Sequence, residues 1–307
     1  MEFMLGLLRQ LKARLNPPVS AAQAEDKWAR IFQLRSQLFD GTYIREAMAQ
    51  TADGIFHFDV RDNIIGWSIA YDGVWEKAET DFVKSVVEPG DFVVDVGANI
   101  GWYTVVMGKL VGENGRVFAF EPESRSYDLL CRNVHENRLV DRCRLFNAAL
   151  LERAGVFELE QAADNFGDSR IRFSSAQECG QNMYGEESRR RVAVEALTLD
   201  EAMQVAGAEH SRIKLIKVDA QGSEVAIFAG AQKTLAQTNV LITEYWPYGL
   251  QRAGKKADDF FDAVSPHFNQ YARFDCGFEF RSIKDWREDM NVPASTPCGE
   301  TVYVLKK

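Results

Sequence analysis

Four carboxylates stand inside or directly after short β-prone apolar runs. They are Asp95 in Phe92-Val93-Val94-Asp95-Val96, Glu121 after Arg116-Val117-Phe118-Ala119-Phe120, Asp219 after Ile213-Lys214-Leu215-Ile216-Lys217-Val218, and Glu244 after Val240-Leu241-Ile242-Thr243. Carboxylates so placed can grip hydroxyls, balance a ligand cation or take a proton from a reacting group. The first run continues into Gly97-Ala98-Asn99-Ile100-Gly101, where two glycines remove side chains and let the backbone turn tightly beside a ligand. Glu121 follows that turn by roughly twenty residues, the separation at which an acid on a second strand grips a ribose diol.

These residues need strands that end together. Pro89-Gly90 breaks the chain before the first run, which suits a central parallel strand buried on both faces. Trp102-Tyr103-Thr104-Val105-Val106-Met107 then reads as a helix whose first N–H groups face the glycine turn. Ser126 to Asn137 has helical character, and Arg144 to Leu150 reads as a third strand. Ile213 to Asp219 reads as a further strand, with Ala220-Gln221-Gly222-Ser223-Glu224 as its turn and Val225 to Leu235 as its helix. Val240 to Glu244 repeats the device, and Tyr271 to Phe274 with Thr301 to Leu305 predict a terminal hairpin. Alternating strands and helices specify an α/β fold with a parallel sheet, whose strand C-termini form the ligand crevice. Glu121, Asp219 and Glu244 are therefore expected to line one crevice.

Within that crevice the glycine spacing discriminates between cofactors. A pyrophosphate dinucleotide site favours G-x-G-x-x-G, but Asn99 stands where the middle glycine belongs. S-adenosylmethionine carries ribose and adenine without a phosphate and does not need that open turn. The expected cofactor-binding set is Glu76, Asp95, Gly97, Ala98, Asn99, Gly101, Tyr103, Thr104, Glu121, Asn147, Ala148 and Asp219. In this set Tyr103 and Thr104 serve the methionine end, and Asn147 and Ala148 the adenine side. Asp219, Glu224 and Glu244 are the candidate catalytic bases. Each has a structural alternative: a cofactor or cap contact for Asp219, a place in the first helical turn for Glu224, a buried partner of Lys217 or an arginine for Glu244. Trp246 and Tyr248 flank Pro247 and read either as a sugar-stacking wall or as a core edge.

Between Gly155-Val156-Phe157-Glu158-Leu159-Glu160 and Arg191 to Leu197, both strand-like, runs a polar tract from Gln161 to Arg190. Tracts of that length inside a domain are commonly functional. Asn165, Gly167, Asp168, Ser169 and Arg170 are its candidate contacts, against the alternative of a solvated insertion.

The front of the chain reads as an N-terminal helical and β-hairpin extension over residues 1–74, with the main domain at 75–307. Helices are expected between Ala21 and Gln50, and a hairpin from Ile55-Phe56-His57-Phe58-Asp59-Val60 and Ile64-Ile65-Gly66-Trp67-Ser68-Ile69. Residues 1–15 form an amphipathic pattern that suits a helix capping the domain or a partner, or a peripheral contact with an anionic membrane; they are too short and too charged to span one. A net charge of −9 argues against a nucleic-acid partner. Five cysteines without C-x-x-C spacing suit a reducing, cytoplasmic compartment. The four histidines show no metal-ligand spacing, and no metal is expected.

Val94-Asp95-Val96-Gly97-Ala98-Asn99-Ile100-Gly101, Phe120-Glu121-Pro122, Thr198-Leu199-Asp200, Ile216-Lys217-Val218-Asp219 with Gly222 and Glu224, and Glu244 together resemble the FkbM-type methyltransferase family in order and spacing. The similarity spans roughly Trp75 to Tyr248. It implies a Rossmann-like class I methyltransferase fold, a mostly parallel seven-stranded sheet with an antiparallel last strand. It also implies S-adenosylmethionine-dependent O-methylation of a hydroxyl on a sugar, glycan or secondary metabolite. The family commonly has an acidic residue before the second-block glycine, where this chain has Gln221, which puts a shared catalytic role for that position in doubt. A nucleotide-dependent oxidoreductase and a non-catalytic Rossmann-like binding protein are the competing readings.

Overall fold

The computed structural model describes residues 43–173, 184–276, 278–291 and 300–307, with positions 29–31, 33, 36, 37 and 39. The amphipathic segment 1–15 lies outside the described residues.

After the helical positions 29–31, 33, 36, 37 and 39 come β1 (Glu46–Gln50), β2 (Ile55–Asp59), α1 (Ile65–Asp72) and α2 (Lys77–Val86). The central unit follows as β3 (Phe92–Val96), α3 (Trp102–Leu110), β4 (Arg116–Phe120), α4 (Ser124–Glu136) and β5 (Cys143–Phe146). An inserted region contains β6 (Ala149–Leu150), β7 (Gly155–Gln161), β8 (Arg170–Ile171) and β9 (Arg190–Leu197). The alternation resumes with α5 (Leu199–Val205), β10 (Ile213–Val218), α6 (Glu224–Ala229), α7 (Gln232–Ala236), β11 (Thr238–Tyr245) and α8 (Pro247–Arg252). The chain closes with α9 (Ala257–Val264), β12 (Gln270–Arg273), β13 (Arg281–Ser282), α10 (Trp286–Asp289) and β14 (Thr301–Lys306).

The main sheet has the order β13-β12-β14-β11-β10-β3-β4-β5. Strands β5, β4, β3, β10 and β11 run parallel, and β14 inserts antiparallel between β11 and β12. The expected seven strands are all present, with the two-residue β13 added at one edge. β12 and β14 do pair as expected, although β13 and α10 intervene in sequence. Strand order reverses between β3 and β10, so the chain leaves the sheet in opposite directions on the two sides of that point and opens a crevice there. Val93, Val94, Val117, Leu215 and Leu241 are fully buried between the helical layers, which explains why these strands read as continuous apolar runs rather than alternating ones.

Several local expectations are corrected. The hairpin is formed by β1 and β2, not by Ile55–Val60 with Ile64–Ile69, and the second of those segments is α1. The spacing of Ile65, Trp67 and Ile69 fits a strand, but the Asp62 carboxylate accepts from the N–H of Ile64 at 3.1 Å and so favours helix initiation. Packing of Trp67 against Phe39 and Phe58 then buries the helix. The helical pattern expected up to Gln50 gives way to strand at Glu46. The third strand stops at Phe146, and Ala149–Leu150 pairs instead with β9 in a separate four-stranded sheet of order β6-β9-β7-β8. The helix expected over Val225–Leu235 breaks at Gly230, where a Cβ would lie 2.2 Å from the Leu151 carbonyl oxygen.

The 43–74 segment packs into the same core as the sheet. Phe56 lies 4.7 Å from Trp102, and the Asn133 side chain accepts from His57 N–H at 2.7 Å while donating to His57 O at 3.0 Å.

Candidate active site

The glycine turn after β3 is fixed by main-chain contacts. Gly97 and Ala98 both donate N–H bonds of 3.0 Å to the carbonyl of Phe120, which ties the turn to the tip of β4. Gly97 has φ +76°, and a Cβ there would stand 1.8 Å from the carbonyl oxygen of Asp219. No other residue satisfies both constraints. Asn99, also left-handed at φ 50°, donates its N–H to Glu121 Oε2 at 2.8 Å, and Glu123 N–H bonds Glu121 Oε1 at the same distance. The Glu121 carboxylate is thus aimed by two backbone donors, and burial pushes its pKa up to about 8 against their pull.

These groups border a cavity of about 370 Å³ at the C-terminal edge of the sheet. Gly97, Ala98, Asn99, Glu121 and Phe120 line one end, together with Ala148, Ala149 and Leu150. Toward the other end stand Glu76, Tyr103, Lys217, Asp219, Gln221 and Glu244, then Asp168, Arg170, Tyr184, Trp246 and Glu300. The expected convergence of Glu121, Asp219 and Glu244 on one crevice is observed.

Other candidates lie behind the cavity wall. Asp95 is 1% exposed and accepts from Thr104 Oγ1 at 2.6 Å, so this pair braces α3 against β3 rather than facing the cavity. Gly101 packs on Leu130, where a Cβ would meet Cδ1 at 2.6 Å. The Asn147 amide donates to the Glu121 carbonyl at 2.9 Å and so secures the tip that presents Glu121. Glu224 is fully buried and accepts from the N–H groups of Ala220 and Gly222 at 3.1 and 3.2 Å. It organises the turn after β10, and burial raises its pKa to about 7.

The centre of the cavity is a charge cluster. Lys217 Nζ lies 3.1 Å from Asp219 Oδ2, 4.0 Å from Glu76 Oε2 and 4.5 Å from the Tyr103 ring centroid. Desolvation acts to lower the Lys217 pKa, but Asp219, Glu76 and Asp95 outweigh it and keep the ammonium charged. Glu76 accepts from the Tyr103 hydroxyl at 2.9 Å, and desolvation lifts its pKa to about 7 despite Lys217. The Gln221 amide nitrogen stands 3.1 Å from both Asp219 Oδ1 and Glu244 Oε2. Burial and the charges of Asp219, Glu300 and Glu224 hold the Glu244 carboxyl well above the usual range. Glu76, Asn99 and Gln221 all have positive φ and all line the cavity, so unfavourable backbone conformations collect at this site.

The inserted sheet closes the far end. Arg170 and Glu186, each 2% exposed, pair at 3.3 Å; Arg252 bridges Glu186 at 3.2 Å and Glu160 at 2.8 Å. Arg170 also pairs with Asp168, which pairs with Arg189. The Tyr248 hydroxyl donates to Glu186 at 2.7 Å, and the Arg170 guanidinium lies 4.6 Å from the Trp246 ring centroid. Thus Asp168 and Arg170 of the polar tract do reach the cavity, as do Asn165, Gly167 and Ser169.

Sequence reasoning did not assign a site role to Lys217, Gln221, Tyr184 or Glu300. Lys217 carried a usable signal, because residues two apart on a strand share a face and Asp219 was already a candidate. The other three depend on turns and loops without periodic signature. Among the described residues no group of three or more metal-ligating side chains could hold an ion, and no helix is long and apolar enough to cross a membrane.

Sheet order, crevice and carboxylate tips define a Rossmann-like fold of the methyltransferase type. The FkbM methyltransferase domain model matches residues 95–280, more than half of the chain, and the protein belongs to that family. It is 27% identical over 207 residues to the 2-O-methyltransferase NoeI of Sinorhizobium fredii (strain NBRC 101917 / NGR234), covering 66% of this chain and 82% of that protein. It is also 27% identical over 184 residues to the methyltransferase sdnD of Sordaria araneosa, covering 52% of this chain and 68% of that protein. Among solved structures it is similar to a methyltransferase FkbM from Methylobacillus flagellatus KT, with 13% identity, a TM-score of 0.42, and coverage of 91% of this chain and 59% of that one.

Proposed function

We propose that the protein is an S-adenosylmethionine-dependent O-methyltransferase whose acceptor is a hydroxyl of a sugar, glycan or secondary metabolite. The observation that carries this reading is a single cavity joining a backbone-aimed acid, Glu121, to a second, solvent-reachable acid, Asp219, whose side chain is 30% exposed. The donor set fits the cofactor: Glu121 for the ribose diol, the apolar walls of Phe120, Ala148 and Leu150 for adenine, and Glu76 with Tyr103 at the methionine end.

When bound, the sulfonium would supply an electrophilic methyl group for in-line displacement by the acceptor oxygen. The protein's tasks are alignment, exclusion of water and removal of the hydroxyl proton. Asp219 is assigned as the proton acceptor. Lys217 and Gln221 each hold one of its oxygens, so the carboxylate is oriented toward the cavity by two donors. The 2-O-methyltransferase name of one relative favours an oxygen acceptor.

The test has two parts. Calorimetry should show saturable binding of S-adenosylmethionine and S-adenosylhomocysteine but not NAD; NAD binding alone would point to an oxidoreductase, and no binding to a non-catalytic protein. Mass spectrometry of a metabolite or glycan extract incubated with protein and methyl donor should then reveal O-methylated products. Asp219→Asn should depress turnover by about a hundredfold or more, the scale of a lost general base, while S-adenosylhomocysteine affinity changes by less than about threefold. Equal losses in both would move Asp219 to the cofactor contacts.

A further inference from the structure

Resting on the O-methyltransferase reading, we infer that Asp219 and Glu244, bridged by Gln221, form a subsite for two neighbouring hydroxyls, so that the acceptor is a vicinal diol and Gln221 is the positioning residue of the pair.

The bridge fixes the geometry. Both carboxylate oxygens lie 3.1 Å from the same amide nitrogen and so stand no more than about 6 Å apart. The amide has two hydrogens, one for each acid, and both bonds run from its nitrogen. Oxygens on adjacent carbons, each making one hydrogen bond of about 2.7 Å, span a gap of this size. Gln221 is itself held rigidly. It has φ 52°, and the Gly222 that follows is pressed so closely on Gly249 that a Cβ would lie 2.8 Å from its backbone.

The two acids differ in what they can do. Asp219 receives a donor on each oxygen, from Gln221 on one side and the Lys217 ammonium at 3.1 Å on the other, and is assigned the role of proton acceptor. Glu244 receives only the Gln221 amide among the described residues, and its other oxygen has no hydrogen-bond partner there. Burial first, and then the negative charge of Asp219, Glu300 and Glu224, with Lys217 the opposing cation, favour its protonated form, which is assigned the role of donor. The reacting hydroxyl passes its proton to Asp219 as its oxygen attacks. The neighbouring hydroxyl accepts a hydrogen bond from Glu244 and changes no bond. A carboxylate at position 221 would remove the donor both acids share and set a second negative charge beside Asp219, which gives the glutamine a physical reason.

The experiment uses the full-length protein saturated with S-adenosylhomocysteine, titrated with methyl glycosides carrying a free vicinal diol and with the same glycosides lacking one of the two hydroxyls. At least one diol should bind, with its deoxy counterpart about tenfold weaker or more, because unpaired buried groups reject the analogue. Gln221→Met should erase that discrimination. Glu244→Gln, a neutral donor of similar shape, should retain diol binding within about threefold, whereas Glu244→Met should lose it. The Gln and Met variants at 244 provide the readout if Gln221→Met fails to fold. Equal binding of diol and deoxy sugars, no diol bound by a protein that binds S-adenosylhomocysteine, or Glu244→Gln as damaging as Glu244→Met would overturn the inference. None of these outcomes touches the methyltransferase reading, which falls only if the methyl donor itself fails to bind or no O-methyl product forms.

Discussion

The two ends of the cavity are made of different materials. At the Glu121 end the main chain carries the structure: Gly97 and Ala98 donate to one carbonyl, and the N–H groups of Asn99 and Glu123 aim the carboxylate. At the Trp246 end side chains carry it, through Arg170, Glu186, Arg252 and Asp168 drawn from segments far apart in sequence. A main-chain site tolerates almost no change in shape, since each N–H is placed by the strand and turn around it. A side-chain site can be rebuilt by substitution without moving the sheet. If the Glu121 end holds the cofactor as proposed and the Trp246 end borders the acceptor, the two should separate under mutation.

The largest test of that separation is Gly97→Ala. The added methyl would collide with the Asp219 carbonyl at 1.8 Å in a backbone conformation that alanine already resists. Because Asp219 donates its own N–H to Val96 at 3.1 Å, relief requires β3 and β10 to part. A loss of at least about 3 kcal/mol in urea unfolding is expected, together with loss of S-adenosylhomocysteine binding. A stable variant with intact affinity would show that the turn is more compliant than its contacts indicate.

Arg170→Met probes the opposite end with a smaller effect. It removes the cation shared by Asp168 and Glu186, but each acid retains a second arginine, Arg189 and Arg252 respectively. The cost should therefore fall below that of exposing an unpaired buried charge, at about 2 kcal/mol. S-adenosylhomocysteine affinity should stay within about threefold of the parent, while binding of a diol glycoside weakens by about tenfold. Calorimetry with both ligands checks this, and a parallel loss of both affinities would erase the distinction between the ends.

The same contrast explains what was legible in the sequence. Gly97, Glu121 and Asp219 could be read because each sits at a fixed place relative to an apolar run, and the strand that follows from that run decides where the residue points. Arg170 could be named as a contact, but its pairing with Glu186 and Arg252 depends on how an insertion folds back, which no local period encodes. Asp95 and Thr104 were misleading for the opposite reason. They stand beside the turn in sequence, yet strand alternation and helix phase direct them to each other behind the wall. α1 defeated the period argument because its residues are buried on all sides, so Ile65, Trp67 and Ile69 satisfied a strand pattern and a helix pattern equally.

The finest test uses protons. Ribose hydroxyls donate to an ionised carboxylate, but burial leaves Glu121 of the free protein protonated below a pKa of about 8. Binding then releases a proton, so S-adenosylhomocysteine affinity should rise with pH, by up to about tenfold per unit, and level off above pH 8. Stability of the ligand-free protein should move the other way. Between about pH 4.5, where the unfolded carboxylates ionise, and pH 7 to 8, the folded state binds more protons than the unfolded chain through Glu76, Glu121 and Glu224. Raising the pH through that window therefore lowers the melting temperature. Glu121→Gln should take one proton out of both slopes throughout the window below pH 8, most distinctly for stability between pH 7 and 8, where Glu76 and Glu224 have completed their part. Two curves of opposite slope tied to one carboxylate would locate the ribose contact at Glu121, whereas an unaltered affinity slope in Glu121→Gln would assign the released proton to Glu76, at the other end of the cofactor.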